Sequence, residues 1–198
     1  MKFKRWTYIL IGLTILGFAG IWTFKNFNFN SDFEVGQQVD NLNGVYVYYN
    51  GGVGNVTERN TTAEGYNLGL KYQCVEFVKR YYYEHLNHKM PDSYGNAKDF
   101  FDNSLKDGQK NKQRDLAQYT NLSKTKPKVD DLLIFSGTIF NKYGHVAIIS
   151  KVTDTEIEII QQNPGQFGQP RENYGLLNEK GKWKIDNDRI LGWLRKEK

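Results

Sequence analysis

An uncharged, largely apolar run at residues 6–24 is the feature that most limits what this chain can fold into. Its length is close to the roughly 20 residues that an α-helix needs to cross the hydrocarbon core of a bilayer. Three of the first five residues are basic, and such a bias keeps the N-terminus in the cytoplasm and sends the following chain across the membrane. The sequence therefore predicts a single-pass signal anchor in residues 1–25, with the rest of the chain extracytoplasmic.

A cleaved signal peptide is the alternative interpretation of this run, and cleavage would leave a secreted protein. The apolar region is long for a signal peptide, and residues 17–21 (Gly-Phe-Ala-Gly-Ile) make a poor small-residue cleavage site. We therefore expect the anchor to be retained, with residues 6–24 in the membrane.

The segment after the anchor, residues 26–32, alternates Asn and Phe before Ser31 and Asp32. It is too short for an element of its own, so we expect a tether that packs little and an anchor on which the chemistry does not depend. Residues 33–198 are enough for one domain with one core. Because the chain has a single cysteine, no internal disulfide can stabilise that domain.

The net charge of +5 does not indicate a nucleic-acid partner. Residues 1–25 hold four of the 27 basic residues and no acidic one, so the remaining chain has 23 basic against 22 acidic residues. A nucleic-acid-binding domain carries a concentrated basic surface. We expect no nucleic acid among the partners.

The lone cysteine, Cys74, stands where a helix is predicted to begin. Apolar residues recur from it at helical spacing, and residues 67–70 before it are predicted to form a loop. At a helix N-terminus the free N–H groups and the dipole favour a thiolate, so we expect a lowered pKa. The alternative is a buried, inert cysteine that packs as a small apolar residue.

His145 is the histidine with the context of a catalytic base. It follows Gly144 and opens a run of strand composition, whereas His85 and His88 fall near the end of the Cys74 helix and are predicted to be surface residues. A cysteine on a helix followed later in the chain by a histidine on a strand is the papain-like order.

The two strands predicted at residues 145–152 and 156–162 are joined by three residues, which indicates an antiparallel hairpin. Because side chains alternate along a strand, Gln161 and Asn163 share a face that can lie opposite His145. The apolar residues on the same faces are expected to pack under the Cys74 helix: Ala147, Ile149, Ile157 and Ile159. Further strands are predicted at 45–49, 182–185 and 189–194, and a short helix at 97–101. The polar stretch at 103–128 either holds a helical turn near 116–119 or forms a rim of the cleft. The predicted fold class is α+β, with the Cys74 helix on a small antiparallel sheet.

Four short motifs carry a family resemblance: Tyr-Gln-Cys-Val-Glu-Phe at 72–77, Gly-His-Val-Ala at 144–147, Gln-Gln-Asn at 161–163 and Leu-Gly-Trp-Leu at 191–194. Together they resemble the CHAP family of cysteine, histidine-dependent amidohydrolases and peptidases, over roughly residues 39–194. The first motif is most similar to the amidase half of glutathionylspermidine synthetase/amidase. That subgroup has Glu-Gln-Asn where this chain has Gln-Gln-Asn at residues 161–163. Gln161 therefore replaces the carboxylate that usually orients the histidine.

The resemblance implies a papain-like core and assigns roles to the motif residues. Cys74 is the nucleophile, His145 is the base, and Gln161 or Asn163 orients the histidine, with Gln161 in the place of the family's acid. Gln73 and Tyr72, beside the nucleophile, are predicted to contact the substrate or the oxyanion.

An extracytoplasmic member of this family resembles a peptidoglycan hydrolase, so the predicted function is a cysteine amidase or endopeptidase acting on peptidoglycan. A glutathionylspermidine-type amidase acting on a small thiol-polyamine conjugate is one alternative. A weakly active or inactive membrane-anchored binding module is another. Residues 45–72 hold only two acids, Glu58 and Glu64, which are too few for the oxygen ligands of Ca²⁺. The cysteine and the histidines are not at zinc-ligand spacing, so we expect no metal or other cofactor.

Overall fold

The computed structural model describes residues 2–197 and contains one long N-terminal helix followed by a mixed α and β domain. The helices are α1 (Lys2–Asn26), α2 (Cys74–Glu84) and a short 3₁₀ helix (Ala97–Phe100). The strands are β1 (Gln38–Leu42), β2 (Val45–Tyr48), β3 (Arg59–Thr61), β4 (Asn67–Leu70), β5 (Gln109–Asn111), β6 (Leu116–Thr120), β7 (Leu132–Phe135), β8 (His145–Val152), β9 (Glu156–Ile160), β10 (Arg171–Glu179), β11 (Lys182–Ile185) and β12 (Ile190–Arg195).

Helix α1 contains a stretch, Trp6–Asn26, that is long and apolar enough to cross a membrane. None of the residues in this stretch is buried, as expected for a helix that does not belong to the core of the domain. The prediction of a helix suited to spanning a bilayer is therefore confirmed for its length and composition.

The segment that follows α1 is packed against the domain, so the prediction of a tether with few contacts is wrong. The hydroxyl of Tyr49 donates to Asn28 Oδ1 at 2.8 Å. The backbone N–H of Phe29 and the amide of Asn30 donate to Gln166, at 2.6 and 2.8 Å. The polar side chains of the Asn-Phe alternation therefore bond to the domain, and the chain leaves α1 along a fixed path.

An eight-stranded antiparallel sheet forms the centre of the domain, in the order β11-β10-β9-β8-β7-β12-β6-β5. It is larger than the small sheet predicted from the sequence, because β5, β6 and the long strand β10 join it. The β8–β9 hairpin is confirmed, with Ile148 paired to Ile160. Two short hairpins, β1–β2 and β3–β4, lie outside this sheet.

Helix α2 packs on the sheet through Phe77, Val78 and Tyr81, which are buried together with Val146 and Ile148 of β8. The intervening residues of the hairpin, at 147, 149, 157 and 159, belong to a second core on the opposite face around Trp193. The prediction that those residues pack under α2 is wrong, because alternation along β8 assigns the even-numbered side chains to the helix.

Three local predictions are corrected. Residues 67–70 form strand β4 and residues 116–119 lie in strand β6. His88 is buried, with its Nε2 2.8 Å from the carbonyl oxygen of Arg114, whereas His85 is exposed.

Candidate active site

Cys74 is the first residue of α2, as the sequence predicts. Gln73 before it has extended backbone angles and makes no side-chain cap, so the N–H groups of the first turn are free of a capping side chain. Cys74 is partly buried, and the backbone N–H groups of Val146, Val75 and Cys74 itself lie near enough to its thiol to lower the thiol pKa. The thiol therefore lies against the residue that directly follows His145.

Burial controls the protonation of both groups. It raises the pKa of the Cys74 thiol to about 11, and the backbone N–H groups around the sulfur lower it by less. It lowers the pKa of His145 to about 4, against the smaller opposing effect of the Gln161 hydrogen bond. The predicted depression of the thiol pKa is wrong because desolvation outweighs the helix N-terminus, and the resting pair is a neutral thiol and a neutral imidazole.

The orientation of His145 is determined by Gln161. His145 Nε2 lies 2.9 Å from Gln161 Oε1, and Gln161 Nε2 donates to the carbonyl oxygen of Gln169 at 3.1 Å. Because a carbonyl oxygen only accepts, the second bond identifies which end of the amide faces the histidine. Nε2 of His145 must then carry the proton, and Nδ1 is left as the basic nitrogen.

Asn163, the other candidate for this role, bonds elsewhere. Its Nδ2 donates to Gln73 Oε1 at 2.7 Å and to the carbonyl oxygen of Val53 at 3.0 Å. Gln73 Nε2 in turn donates to the carbonyl oxygen of Asn55 at 2.8 Å. Both side chains therefore hold the loop at residues 53–55 against the start of α2, and neither amide bonds to His145.

Gln162 is a site residue that the sequence analysis missed. Its side chain is fully buried, with Nε2 donating to the carbonyl oxygen of Gln73 at 3.0 Å and to Glu76 Oε2 at 2.8 Å. Its Oε1 accepts from the backbone N–H of Tyr48 at 2.8 Å. Glu76 also pairs with Arg80 at 2.7 Å. Gln162 thus joins the segment after β9, strand β2 and the start of α2.

A cleft of about 340 Å³ lies next to these residues. Gln161 and Asn163 line this cleft. The rest of its lining comes from aromatic side chains at the end of β2, from the loop at 164–170, and from Asn30, Asp32 and Phe33 in the segment after α1. Asp32 is the one acidic residue among the described residues that line it. The lining is dominated by amides and aromatic rings.

Tyr72 lines a neighbouring cavity of about 350 Å³ instead. Its ring lies 5.5 Å from that of Tyr48, which borders both cavities. Lys71, Arg80 and Glu84 make this second cavity more charged than the first.

The loop at 164–170 depends on Gln166, whose side chain is buried against the chain after α1. Its Nε2 donates to the carbonyl oxygen of Phe24 at 3.0 Å and its Oε1 accepts from Phe29. The same loop supplies the Gln169 carbonyl that orients Gln161. The end of α1 is therefore connected to His145 through hydrogen bonds at Gln166 and Gln161 and the short backbone segment 166–169 between them.

Comparison with known proteins gives a consistent result. Residues 61–163, just over half of the chain, match the family model of the CHAP domain. Trypanothione synthetase from Crithidia fasciculata is 31% identical over 124 residues, which cover 61% of this chain and 19% of the relative. Glutathionylspermidine synthase from the same organism is 28% identical over 137 residues, covering 64% and 19%. The chain spans about a fifth of the length of these curated relatives.

Proposed function

Because this chain belongs to the CHAP domain family, we propose that its folded part is a cysteine-dependent amidase with Cys74 as nucleophile and His145 as base. The family and the amidase-containing relatives support a hydrolase. The observation that carries the assignment is the His145–Gln161 hydrogen bond, whose direction leaves Nδ1 free to accept a proton. Helix α2 on the β8–β9 hairpin would form a papain-like core.

In the proposed reaction the two neutral groups become charged only during attack. The Cys74 thiol proton passes to His145 Nδ1 as the sulfur bonds to the amide carbonyl carbon. The N–H groups of the first turn of α2 are suited to stabilise the resulting oxyanion. The imidazolium then protonates the leaving amine, the C–N bond breaks, and a thioester remains on Cys74. Water, deprotonated by His145, releases the acyl group and restores the thiol.

The role of Gln161 is to hold the His145 ring in this orientation. Its neutral oxygen accepts the Nε2–H bond but adds no negative charge beside the imidazolium. A charge-assisted hydrogen bond is about twice as strong as a neutral one, so the amide in place of a carboxylate costs about 1 kcal/mol, or roughly five- to tenfold in rate. The proposed reaction is slower by this factor, and its nucleophile and base are unchanged.

We propose a peptide amide of peptidoglycan as the substrate. A domain that follows a membrane-spanning helix with a basic N-terminal flank would face the cell wall, and the cleft lining of amides and aromatic rings matches a peptide. The similarity to trypanothione synthetase and glutathionylspermidine synthase favours a second candidate, an amide of the glutathionylspermidine type. A polyamine carries several positive charges, and the cleft offers Asp32 alone among its described lining.

Parallel digestion of the two substrate classes tests this proposal. The full chain in detergent micelles and its Cys74→Ala variant would be incubated with purified sacculi and with glutathionylspermidine, and new amines and soluble fragments would be measured. Release from sacculi that requires Cys74 is the expected result. Release from glutathionylspermidine alone would select the second candidate. Equal behaviour of the two proteins on both substrates would refute the amidase and favour a binding module.

A further inference from the structure

Three separated loops meet around the C-terminal end of α1. The backbone N–H of Gly54 donates to the carbonyl oxygen of Lys25 at 2.8 Å, and Lys25 Nζ donates to the carbonyl oxygen of Phe140 at 2.7 Å. The Phe24 ring stacks on Phe167, with centroids 6.4 Å apart. The loops near residues 54, 140 and 167 are therefore fixed at the level of the chain where the apolar run ends.

The tips of two of these loops are apolar and exposed. Ile139 is 98% exposed, Phe140 75% and Phe167 61%. Phe27 and Phe29, just beyond α1, are also more than half exposed. Single exposed apolar residues are normal on a soluble domain, but a cluster of large ones marks a surface that binds an apolar partner.

We propose that Ile139, Phe140 and Phe167 form a membrane-contacting surface that lies in the outer interface of the bilayer spanned by α1. The proposal rests on the spanning role of α1. Exposed Phe and aliphatic side chains insert into the boundary between headgroups and hydrocarbon, and a lysine at that boundary keeps its amine on the polar side. Phe24 and Lys25 lie at the end of the predicted span and therefore at this boundary. The loops near residues 54, 140 and 167, which contact them, lie at the same level.

This placement brings the substrate cleft to the membrane surface. The loop at 164–170 that carries Phe167 also lines the cleft, together with Asn30 and Phe33. A substrate therefore reaches Gln161 next to the bilayer, and the enzyme acts on the layer of substrate closest to the membrane.

Site-directed spin labelling of the full chain tests the surface. In a Cys74→Ser background, single Phe140→Cys and Phe167→Cys variants would be labelled with a nitroxide and placed in vesicles of phosphatidylcholine and phosphatidylglycerol. Accessibility to oxygen, which concentrates in lipid, would be compared with accessibility to a water-soluble nickel complex.

Val129→Cys is the matched control. Val129 is an exposed apolar residue, at 45%, and the adjacent Asp130 is held by Tyr82 near the opposite end of α2 from Cys74. The ratio of oxygen to nickel accessibility should be severalfold higher at positions 140 and 167 than at 129. Equal ratios at the three positions would overturn the proposal. A label at Ile15→Cys that is accessible to water would also overturn the proposal, because it would show that α1 does not span the bilayer. That result would leave the outcome of the amidase assay with sacculi unchanged, so the two proposals can fail separately.

Discussion

Replacing Gln161 by Glu should raise the reactivity of Cys74 and lower the stability of the fold, so the two effects can be measured separately. In the Gln161→Glu variant, a carboxylate would accept the His145 Nε2–H bond that now measures 2.9 Å. The charge favours the imidazolium that forms when Cys74 loses its proton, by about 1 kcal/mol over the neutral bond. We expect the reactivity of the thiol at neutral pH to rise about five- to tenfold.

The same substitution should lower stability. Gln161 Nε2 donates to the Gln169 carbonyl at 3.1 Å in a buried setting, and Glu would place a second acceptor against that oxygen. Loss of a buried donor costs about 1–3 kcal/mol, so the free energy of unfolding should fall by roughly this amount. In Gln161→Ala both bonds are lost, and reactivity should fall about fivefold as the ring loses its orientation.

Alkylation by iodoacetamide measures this reactivity without a known substrate. Cys74 is the sole thiol of the chain, so intact mass reports a single reaction, and a His145→Ala variant gives the rate of the unassisted thiol. Asn163→Ala is the control from the same strand end, because its amide bonds Gln73 and Val53 and should leave the rate unchanged. If Asn163→Ala slows alkylation and Gln161→Ala does not, the assigned orienting residue is wrong.

Three further predictions concern stability and coupling. Burial lowers the pKa of His145 from 6.5 to about 4. Between these two pH values His145 is protonated in the unfolded chain and neutral in the folded chain. The free energy of unfolding therefore falls as pH falls from 6.5 to 4, by about 3 kcal/mol at most. Urea titrations should show this loss in wild type and not in His145→Asn. The same dependence of stability on pH in both proteins would contradict the prediction. Gln162→Leu leaves the Tyr48 N–H without an acceptor and removes the donor to Glu76 Oε2, so it should lower the free energy of unfolding by about 2–4 kcal/mol. Gln162→Glu keeps an acceptor for Tyr48 but places a second carboxylate against the buried Glu76, so it should lower stability by at least as much. An unaltered urea midpoint for Gln162→Leu would refute the structural role of Gln162. Gln166→Ala should slow Cys74 alkylation severalfold through the displaced Gln169 carbonyl, with circular dichroism unchanged, and wild-type reactivity would show that the loop does not act on His145.

The features predicted correctly from the sequence have strong local signals. Helical spacing begins at Cys74, and the short connection between two strand-like runs predicts the β8–β9 hairpin. Alternation along β9 then limits the partner of His145 to two residues, Gln161 and Asn163. The family motifs that contain these residues are confirmed by the match to the CHAP domain.

The features that were missed depend on distant contacts. Phe29 bonds to Gln166, 137 positions away, so nothing in the local Asn-Phe pattern predicts it. Residues 116–119 include good helix formers, and pairing with β12 overrides that preference. Residues 67–70 form strand β4 although Gly69 lies within it with a φ of 133°, and a Cβ at this position would lie 3.2 Å from the backbone of Glu76. The raised pKa of Cys74 follows from burial, which the sequence does not show.

The bonding of Gln166 to Phe24 and Phe29 also determines what proteolytic shedding would do to this protein. A protease that cut before residue 24 would release a domain that keeps both partners of Gln166. A cut after Phe29 would remove them and leave the donor and the acceptor of a buried amide unpaired. Two soluble forms that differ by a few residues would then differ in activity, so the position of the cut, and not release itself, would decide whether the shed enzyme keeps working.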